Sequence, residues 1–358
     1  MMLNKKLFDN SPYSIEENYF KKIYLKAIIN LTKYHFNNCK IYKKLFNTLN
    51  FKISKKTTIQ EIPFIPTRLF KYYDLISIKK NKVVKTLISS GTSSQGYSKI
   101  YLDKVNSENQ VKALKNLISS ILGNLRLPML IIDKNPKYYN RNQFNAKTAA
   151  ILGFSIFGKN HFYILDKNGN IDYKGLKKFF EVYKNEKIFI FGFTSNIYEI
   201  LLEKLSLKKF DVNFSNSVLL HGGGWKKLEK YKISNLDFKK KLNKKFKIEK
   251  VYNYYGTIEQ AGSIFLECEN CGGFRTSRYS DILIRDKNFK VLPKLKKGII
   301  QIFSILPTSY PGHSLLTEDE GLIIHDKDCT KNFEGKCFLI KGRLAQAELR
   351  GCSDVTSN

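Results

Sequence analysis

The chain has 358 residues, 42% of them hydrophobic and 26 of them phenylalanine. A chain of this length can bury about three quarters of its unfolded surface, which indicates a packed, soluble, enzyme-sized body. The N-terminus lacks the apolar core of a signal peptide, and no apolar stretch approaches the roughly 20 residues that cross a bilayer. We therefore expect a cytoplasmic protein with no membrane span.

The net charge of +31 has two interpretations. Clustered Lys and Arg would neutralise phosphates, so a basic nucleic-acid-binding protein is an alternative of another class. Here the lysines are scattered from end to end among abundant Asn and Ile, which favours a Lys-rich solvated surface and no nucleic-acid partner. The densest cluster, residues 239–250, predicts an exposed helix face that precedes a strand.

The first third of the chain predicts helix over 15–50 and an extended segment over 62–70, where Pro63 and Pro66 forbid a regular helix. A helical period follows over 107–122, with Ser107 as its N-cap. Strands then alternate with helices, which predicts a parallel or mixed α/β sheet. The predicted strands cover 128–133, 161–166, 187–193, 216–224 and 250–256.

From about residue 262 the pattern changes to strands separated by turns, with no convincing helix. This predicts a β-rich subdomain on the α/β core. We divide the chain into a large domain over 1–342, with its α/β part at about 1–261 and its β-rich part at about 262–342. A short tail over 343–358 carries Cys352.

The stretch "LISSGTSSQGYSKIYLD", residues 87–103, places a Ser/Thr/Gly loop between two short strands. Gly91 and Gly96 have the separation of a Walker A loop, but Tyr97 and Ser98 stand where Lys and Ser/Thr are needed. An ordinary polar hairpin loop is the second interpretation. The third is a phosphate cradle, in which small residues let backbone N–H groups approach phosphate oxygens and Lys99 supplies a charge.

Four further motifs favour the cradle: "HGGGWK" at 221–226, "YNYYGTIEQAG" at 252–262, "LLTEDEG" at 315–321 and "KGRLAQAELRGCSD" at 341–354. In this order they resemble the adenylate-forming superfamily, and most closely its acyl-protein synthetase (LuxE) branch. The resemblance implies an α/β fold in which mixed sheets flanked by helices join a β-rich subdomain. Most relatives continue into a small C-terminal domain, which we expect to be truncated here together with its catalytic lysine.

The resemblance also implies a reaction and its cofactors. Such ligases join a carboxylate to the α-phosphate of ATP, release pyrophosphate with the help of Mg²⁺, and pass the acyl group to a thiol. The phosphate loop would use Lys99 as a catalytic charge. The ATP-binding residues of that loop and of the glycine motif would be Ser90, Gly91, Thr92, Ser93, Ser94, His221, Gly222, Gly223 and Gly224.

The remaining motif residues take roles from the same resemblance. Tyr255, followed by Gly256 and Thr257, would stack on adenine, although Thr257 falls one place earlier than in most relatives. Glu259 would be a catalytic magnesium ligand, because carboxylate oxygens suit this hard cation. Asp319 would accept hydrogen bonds from both ribose hydroxyls, with Glu318 and Glu320 as flanking acids. Arg343 would be the basic residue at the hinge.

In the acyl-protein synthetases the acyl group is held on a cysteine near the C-terminus, and Cys352 is the counterpart here. The nearby Arg350 would favour its thiolate. A ligase that passes the acyl group to coenzyme A or to a carrier protein is the alternative. The substrate would be a fatty acid or another carboxylic acid, and an acyl reductase or acyl carrier would be the partner protein.

Six cysteines in a cytoplasmic chain argue for thiols, a metal site or a nucleophile rather than disulfides. Cys39 stands alone and fits packing. Cys268 and Cys271 form a C-x-x-C pair, and with Cys329 they could bind structural zinc. The fourth ligand would be Cys337 or His313, and free thiols are the alternative.

Overall fold

A computed structural model describes residues 5–15, 18–89, 97–138, 146–206, 214–225, 233–325, 329 and 335–344. The strands are β1 (Ile65–Pro66), β2 (Lys85–Ile88), β3 (Lys99–Leu102), β4 (Leu127–Lys134), β5 (Gly158–Leu165), β6 (Ile188–Phe193), β7 (Ser217–Gly222), β8 (Lys250–Tyr255), β9 (Phe265–Leu266), β10 (Phe274–Arg275), β11 (Ser280–Arg285), β12 (Gly298–Ser304), β13 (Ser314–His325) and β14 (Cys337–Arg343).

The α-helices are α1 (Leu25–Asn38), α2 (Lys40–Thr48), α3 (Leu69–Tyr72), α4 (Lys104–Leu122), α5 (Ala146–Ser155), α6 (Tyr173–Val182), α7 (Thr194–Asn196) and α8 (Asn235–Phe246). Two π-helical segments cover Phe20–Tyr24 and Ile197–Lys204. Short 3₁₀ turns lie at Lys5–Phe8, Ile59–Glu61, Lys80–Lys82, Pro136–Tyr138 and Ile258–Gln260. None of the helices described here combines the length and the apolar character that a membrane crossing requires.

The described residues form two compact bodies, one from 1–120 with 256–348 and the other from 121–255. The first body contains an antiparallel sheet in the order β10-β14-β13-β12-β11, and β1 pairs with β13 in parallel. Strand β11 is buried at every residue, and β12 is buried at nearly all of them, so this sheet is covered on both faces. The β-rich character predicted for the chain after residue 262 is therefore confirmed.

The second body is a parallel sheet in the order β5-β4-β6-β7-β8. Strands β6 and β7 are buried throughout, because helices cover a parallel sheet on both faces. Its core packs β-branched and aromatic side chains of the strands, such as Ile190, against Phe179 of α6 and Leu242 of α8. The α/β alternation that the sequence predicts is confirmed, including α8 over the lysine cluster.

One predicted helix boundary is wrong. Helix α4 begins at Lys104, so Ser107 lies inside its first turn and is not the N-cap. The side chain of Asp103 accepts a hydrogen bond from the backbone N–H of Asn106 at 2.8 Å, which satisfies a donor of the first turn. Asp and Ser are both good caps, and the sequence offers both within four residues.

Candidate active site

The Ser/Thr/Gly loop is carried by an antiparallel hairpin. Strands β2 and β3 pair from Lys85 opposite Leu102 to Ile88 opposite Lys99. Beyond the last pair, the Ser89 N–H donates to the Ser98 carbonyl at 3.0 Å, and the Ser98 N–H donates to the Ser89 hydroxyl at 2.9 Å. A Walker A loop leads from a strand into a helix, whereas this loop leads into β3, so the Walker A interpretation is wrong.

The residues of the loop proposed as ATP ligands lie outside the described part of the chain. Those residues are Ser90, Gly91, Thr92, Ser93 and Ser94. Lys99 is described: it is the first residue of β3 and its side chain is exposed. Its position at the base of the loop leaves the ammonium group accessible to a ligand.

Glu259 is a buried carboxylate in the same body as this hairpin. It lies in the 3₁₀ turn Ile258–Gln260, shortly after Gly256 and Thr257, and it is only 8% exposed. Burial raises the pKa of Glu259, although the nearby Ser98 side chain and the positive charge of Lys71 act in the opposite direction. The base of the loop therefore lies near the carboxylate.

The turn that carries Glu259 is held by buried hydrogen bonds. The Tyr310 hydroxyl donates to the Glu259 carbonyl oxygen at 2.9 Å, and the Gln260 side-chain amide donates to the Gly312 carbonyl at 2.8 Å. The segment before Tyr310 is fixed in turn by Asn106, whose side-chain oxygen accepts from the backbone N–H of Ser309 at 3.2 Å. The position of the carboxylate is thus set by residues far apart in sequence.

The acidic run Glu318–Glu320 lies on β13 and faces two arginines. Arg343 of β14 is the register partner of Asp319, and its Nε lies 3.1 Å from Asp319 Oδ1. Glu318 accepts from Arg343 at 3.2 Å and from Arg68 at 2.7 Å, while Glu320 pairs with Lys297 at 2.8 Å. Glu318 and Asp319 therefore share Arg343, whereas Glu320 has a separate partner. Asp319 and Arg343, which have separate roles in the sequence analysis, are in direct contact.

The glycine motif of the second body follows β7 at the carboxyl end of its parallel sheet, where ligands bind in open α/β sheets. A side chain at Gly222 would meet the Tyr254 ring at 2.6 Å. Gly223 and Gly224 have φ values of +82° and +68°, which only glycine adopts readily. A Cβ at Gly224 would meet no atom within 4 Å, so the backbone there is open to close approach.

His221 precedes these glycines and is buried in the core of the second body. The Thr194 hydroxyl donates to the Gly222 carbonyl at 3.1 Å and lies 2.9 Å from His221 Nδ1. Because the hydroxyl has one proton, Nδ1 is the donor of the second contact. Burial lowers the pKa of His221 to about 3, with a smaller contribution from Lys239, so the imidazole is neutral near pH 7. Tyr255, which ends β8, is partly buried.

The structure also brings four cysteines of the first body together. The sulfur atoms of Cys268, Cys271, Cys329 and Cys337, called here the cysteine cluster, all lie within 4.8 Å of one another. His313 takes no part, because it contacts Thr32 at 3.0 Å in a buried network elsewhere. Cys39 is buried, as the packing interpretation predicts. Cys352 lies outside the described residues.

Sequence reasoning missed several residues that complete this site. Ser98 and Lys71 act on Glu259, and Arg68 shares Glu318 with Arg343. Arg68 lies in the extended segment predicted over 62–70, but an arginine in such a segment carries no signal of a partner 250 positions away. In the sequence, Ser98 stands out only because it departs from the Walker A pattern.

Comparison with solved structures shows which class of protein has this fold. The fold matches 2-hydroxyisobutyryl-CoA ligase, solved in an open conformation with 2-HIB-AMP and CoA, with a TM-score of 0.71, 13% identity, and coverage of 94% of this chain and 77% of that one. A luciferase-like enzyme from the nonluminescent mealworm Zophobas morio matches with a TM-score of 0.50, 18% identity, and coverage of 86% and 70%. The chain thus has the fold of the adenylate-forming ligases.

The family follows from the sequence match. The family described as acyl-protein synthetase, LuxE, matches residues 2–358, and the chain belongs to it. A curated relative, the long-chain-fatty-acid–luciferin-component ligase of Aliivibrio fischeri, is 25% identical over 359 residues, which cover 97% of this chain and 90% of the relative. The resemblance read from the ordered motifs is confirmed, and the chain is a ligase of this family.

Proposed function

We propose that the protein activates a carboxylic acid with ATP and transfers the acyl group to a cysteine thiol of a protein. One observation carries the first half of this proposal, the adenylation: Ser98, at the base of the Ser/Thr/Gly hairpin, lies near enough to the buried carboxylate of Glu259 to act on its pKa. A loop suited to phosphates and an acid suited to a cation are therefore joined in one body. Membership of the LuxE family supports the second half, which is the transfer of the acyl group to a protein thiol.

The residues around Glu259 fit a bound Mg²⁺. A buried carboxylate is costly to keep ionised unless a cation accompanies it, and burial raises the pKa of this one. When bound, Mg²⁺ would neutralise charge on the phosphates of ATP. Glu259 would hold the ion, and Ser98 would keep the carboxylate oriented. Lys99 is exposed beside the loop and would contact the phosphates.

Residues of the remaining motifs would bind the nucleotide. Asp319 would accept hydrogen bonds from the ribose hydroxyls while Arg343 fixes its carboxylate at 3.1 Å. The open backbone at Gly224 and the ring of Tyr255 would contact adenine, because glycine offers no side chain to obstruct it. His221, Gly222 and Gly223 would shape this turn.

The acyl transfer would use Cys352. Its thiolate would attack the carbonyl carbon of the acyl-adenylate, so that a C–S bond forms, the C–O bond to phosphate breaks, and AMP leaves with the electron pair. The relative from Aliivibrio fischeri is named for long-chain fatty acids, which supports a fatty acid as substrate. An acyl reductase or acyl carrier would be the partner protein. Transfer to coenzyme A stays the alternative.

We also propose domain boundaries near residues 261 and 342, with a tail that carries Cys352.

The proposed activation of the acid with ATP is tested by acid-dependent exchange of labelled pyrophosphate into ATP. We expect exchange with at least one member of a broad panel that spans short acids and long-chain fatty acids, and none without Mg²⁺. A panel with no active member at saturating ATP and Mg²⁺ would contradict adenylation. Nucleic acid added to the assay is expected to have no effect beyond weak, sequence-independent competition with ATP for positively charged side chains.

The ribose assignment is tested by comparing the neighbouring acids. Asp319→Asn is expected to raise the KM for ATP in the exchange assay by roughly 10-fold to 100-fold, because charge-assisted hydrogen bonds contribute about 1.5–3 kcal/mol. Glu320→Gln, which removes only the ion pair with Lys297, is the matched control and is expected to leave KM nearly unchanged. If Glu320→Gln has the larger effect, the ribose acid is Glu320.

A further inference from the structure

Four sulfur atoms meet at one place in the first body, outside the candidate active site. The cysteine cluster places all its sulfurs within 4.8 Å of one another, and Cys268 and Cys329 are 3.4 Å apart. A tetrahedral zinc ion with bonds of about 2.3 Å sets its ligand sulfurs about 3.8 Å apart. The spacing therefore suits one metal ion, whereas the sulfurs around a four-iron cluster would be farther apart.

The local backbone is shaped for a metal-bound thiolate. The Cys268 carbonyl accepts from the Gly272 N–H at 2.9 Å, and Gly272 has a φ of +67°, which closes a tight turn around the C-x-x-C pair. The turn places the Cys268 and Cys271 sulfurs within 4.8 Å of each other, as two ligands of one zinc ion require.

The distant ligands are held by separate contacts. The Asn270 side-chain amide donates to the Cys329 carbonyl at 3.0 Å, although 59 positions separate them. Cys337 is fully buried and begins β14, where it pairs with Arg275 of β10. The cluster thus joins the turn before β10 to the start of β14. All described cysteines are free thiols, so no disulfide uses these sulfurs in the described residues.

We propose that the cysteine cluster binds one structural Zn²⁺ that fixes strand β14 against β13 and β10. Soft thiolate ligands in tetrahedral array select zinc, or iron, over magnesium and calcium. The ion would add strong bonds at an edge where β10 is only two residues long. Such a site contributes directly to folding free energy, because the unfolded chain does not hold its ligands together.

The position of the ion bears on the candidate active site. Strand β14 has seven residues, with Cys337 at one end and Arg343 at the other. Its pairing with β13 shifts register at Glu320/Gly321 and again at Ile323/His325, so the ladder alone fixes the register weakly. Zinc at Cys337 would hold Arg343 opposite Asp319. This last step rests on the proposed function, whereas the metal site itself does not.

Metal content and stability test the site without ATP. Protein purified under reducing conditions and without chelator is expected to contain about one zinc per chain by elemental analysis. Removing the ion with a strong chelator is expected to lower Tm, and added Zn²⁺ is expected to restore it. Cobalt substitution is expected to give thiolate-to-cobalt charge-transfer bands. Less than about a tenth of an equivalent of metal, with no gain in Tm on adding Zn²⁺, would overturn the proposal, as would stoichiometric iron.

Two variants and one local probe separate the site from general damage. Cys271→Ser, at a partly exposed ligand, is expected to lose most of its zinc affinity, while Cys39→Ala, at a buried cysteine outside the cluster, keeps one zinc. In hydrogen exchange, chelated wild-type protein is expected to lose protection in β13 and β14 but not in β6 and β7. Unchanged protection in β14 after zinc removal would overturn the structural role. These readouts stand whether or not the protein adenylates an acid.

Discussion

Cys352→Ser is expected to abolish a covalent acyl adduct on the protein while leaving acid-dependent pyrophosphate exchange largely intact. Covalent catalysis needs an accessible, ionisable nucleophile, and serine in its place is far less acidic. In the proposed reaction, adenylation would use Glu259, Asp319 and the Ser/Thr/Gly loop, so it would not require this thiol. The measurement is intact-protein mass spectrometry after incubation with ATP, Mg²⁺ and the acid, followed by hydroxylamine, which cleaves thioesters.

The control for the Cys352 experiment is Cys39→Ser, which replaces another cysteine while leaving the cysteine cluster and Cys352 unchanged. Cys39 is buried between α1 and α2, so the adduct is expected to persist in that variant. An adduct that also persists in Cys352→Ser would place the nucleophile elsewhere, and peptide mapping would locate it. Absence of any adduct on the wild type, together with rapid acyl transfer to added coenzyme A, would favour the alternative acceptor.

Glu259→Gln is expected to lower the exchange rate at limiting Mg²⁺ by roughly 100-fold to 1000-fold. The change keeps the shape of the side chain but replaces one acceptor oxygen with an NH2 donor, and it removes the charge that would hold the ion. Metal stabilisation of phosphate charge contributes several kcal/mol, and each 1.36 kcal/mol corresponds to about tenfold in rate. Glu259→Asp, which retains a carboxylate, is expected to recover part of the rate at high Mg²⁺.

Stability should move in the opposite direction from activity in Glu259→Gln. The folded pKa of Glu259 is raised above its ordinary value of 4.5, so between the unfolded and folded pKa values the folded chain binds more protons. The stability that the Glu259 side chain contributes is fully present below about pH 4.5 and is lost as the pH rises through the folded pKa. Gln does not ionise, so the variant does not lose this stability.

Thermal unfolding without Mg²⁺ or nucleotide measures this effect. The Tm of Glu259→Gln minus that of wild type is expected to increase from pH 4 to pH 7 and to be zero or positive at pH 7. Glu186→Gln, in a surface ion pair with Lys159, is the control and is expected to show a small difference. A large drop in Tm for Glu259→Gln at pH 7 would contradict the stability prediction. Near-normal exchange at limiting Mg²⁺ would reject the magnesium role.

The sequence alone determined the layers of the fold and the family. Buried parallel strands are continuous apolar runs, so β4, β6 and β7 could be predicted to within a few residues from local composition. The ordered motifs sufficed for the family because each retains several residues at fixed spacing. The N-cap of α4 escaped prediction, since Asp103 and Ser107 are both plausible caps and only the hydrogen bond to Asn106 distinguishes them.

Contacts between distant residues were decided by the tertiary structure. No local pattern joins Ser98 to Glu259, Arg68 to Glu318, or His313 to a buried network instead of a metal. The cysteine cluster is the clearest case: the C-x-x-C pair was evident in the sequence, but Cys329 lies 61 positions from Cys268. Spacing limits which residues can meet within one turn or strand, whereas partners this far apart meet only where strand pairing and packing of the whole body bring them together.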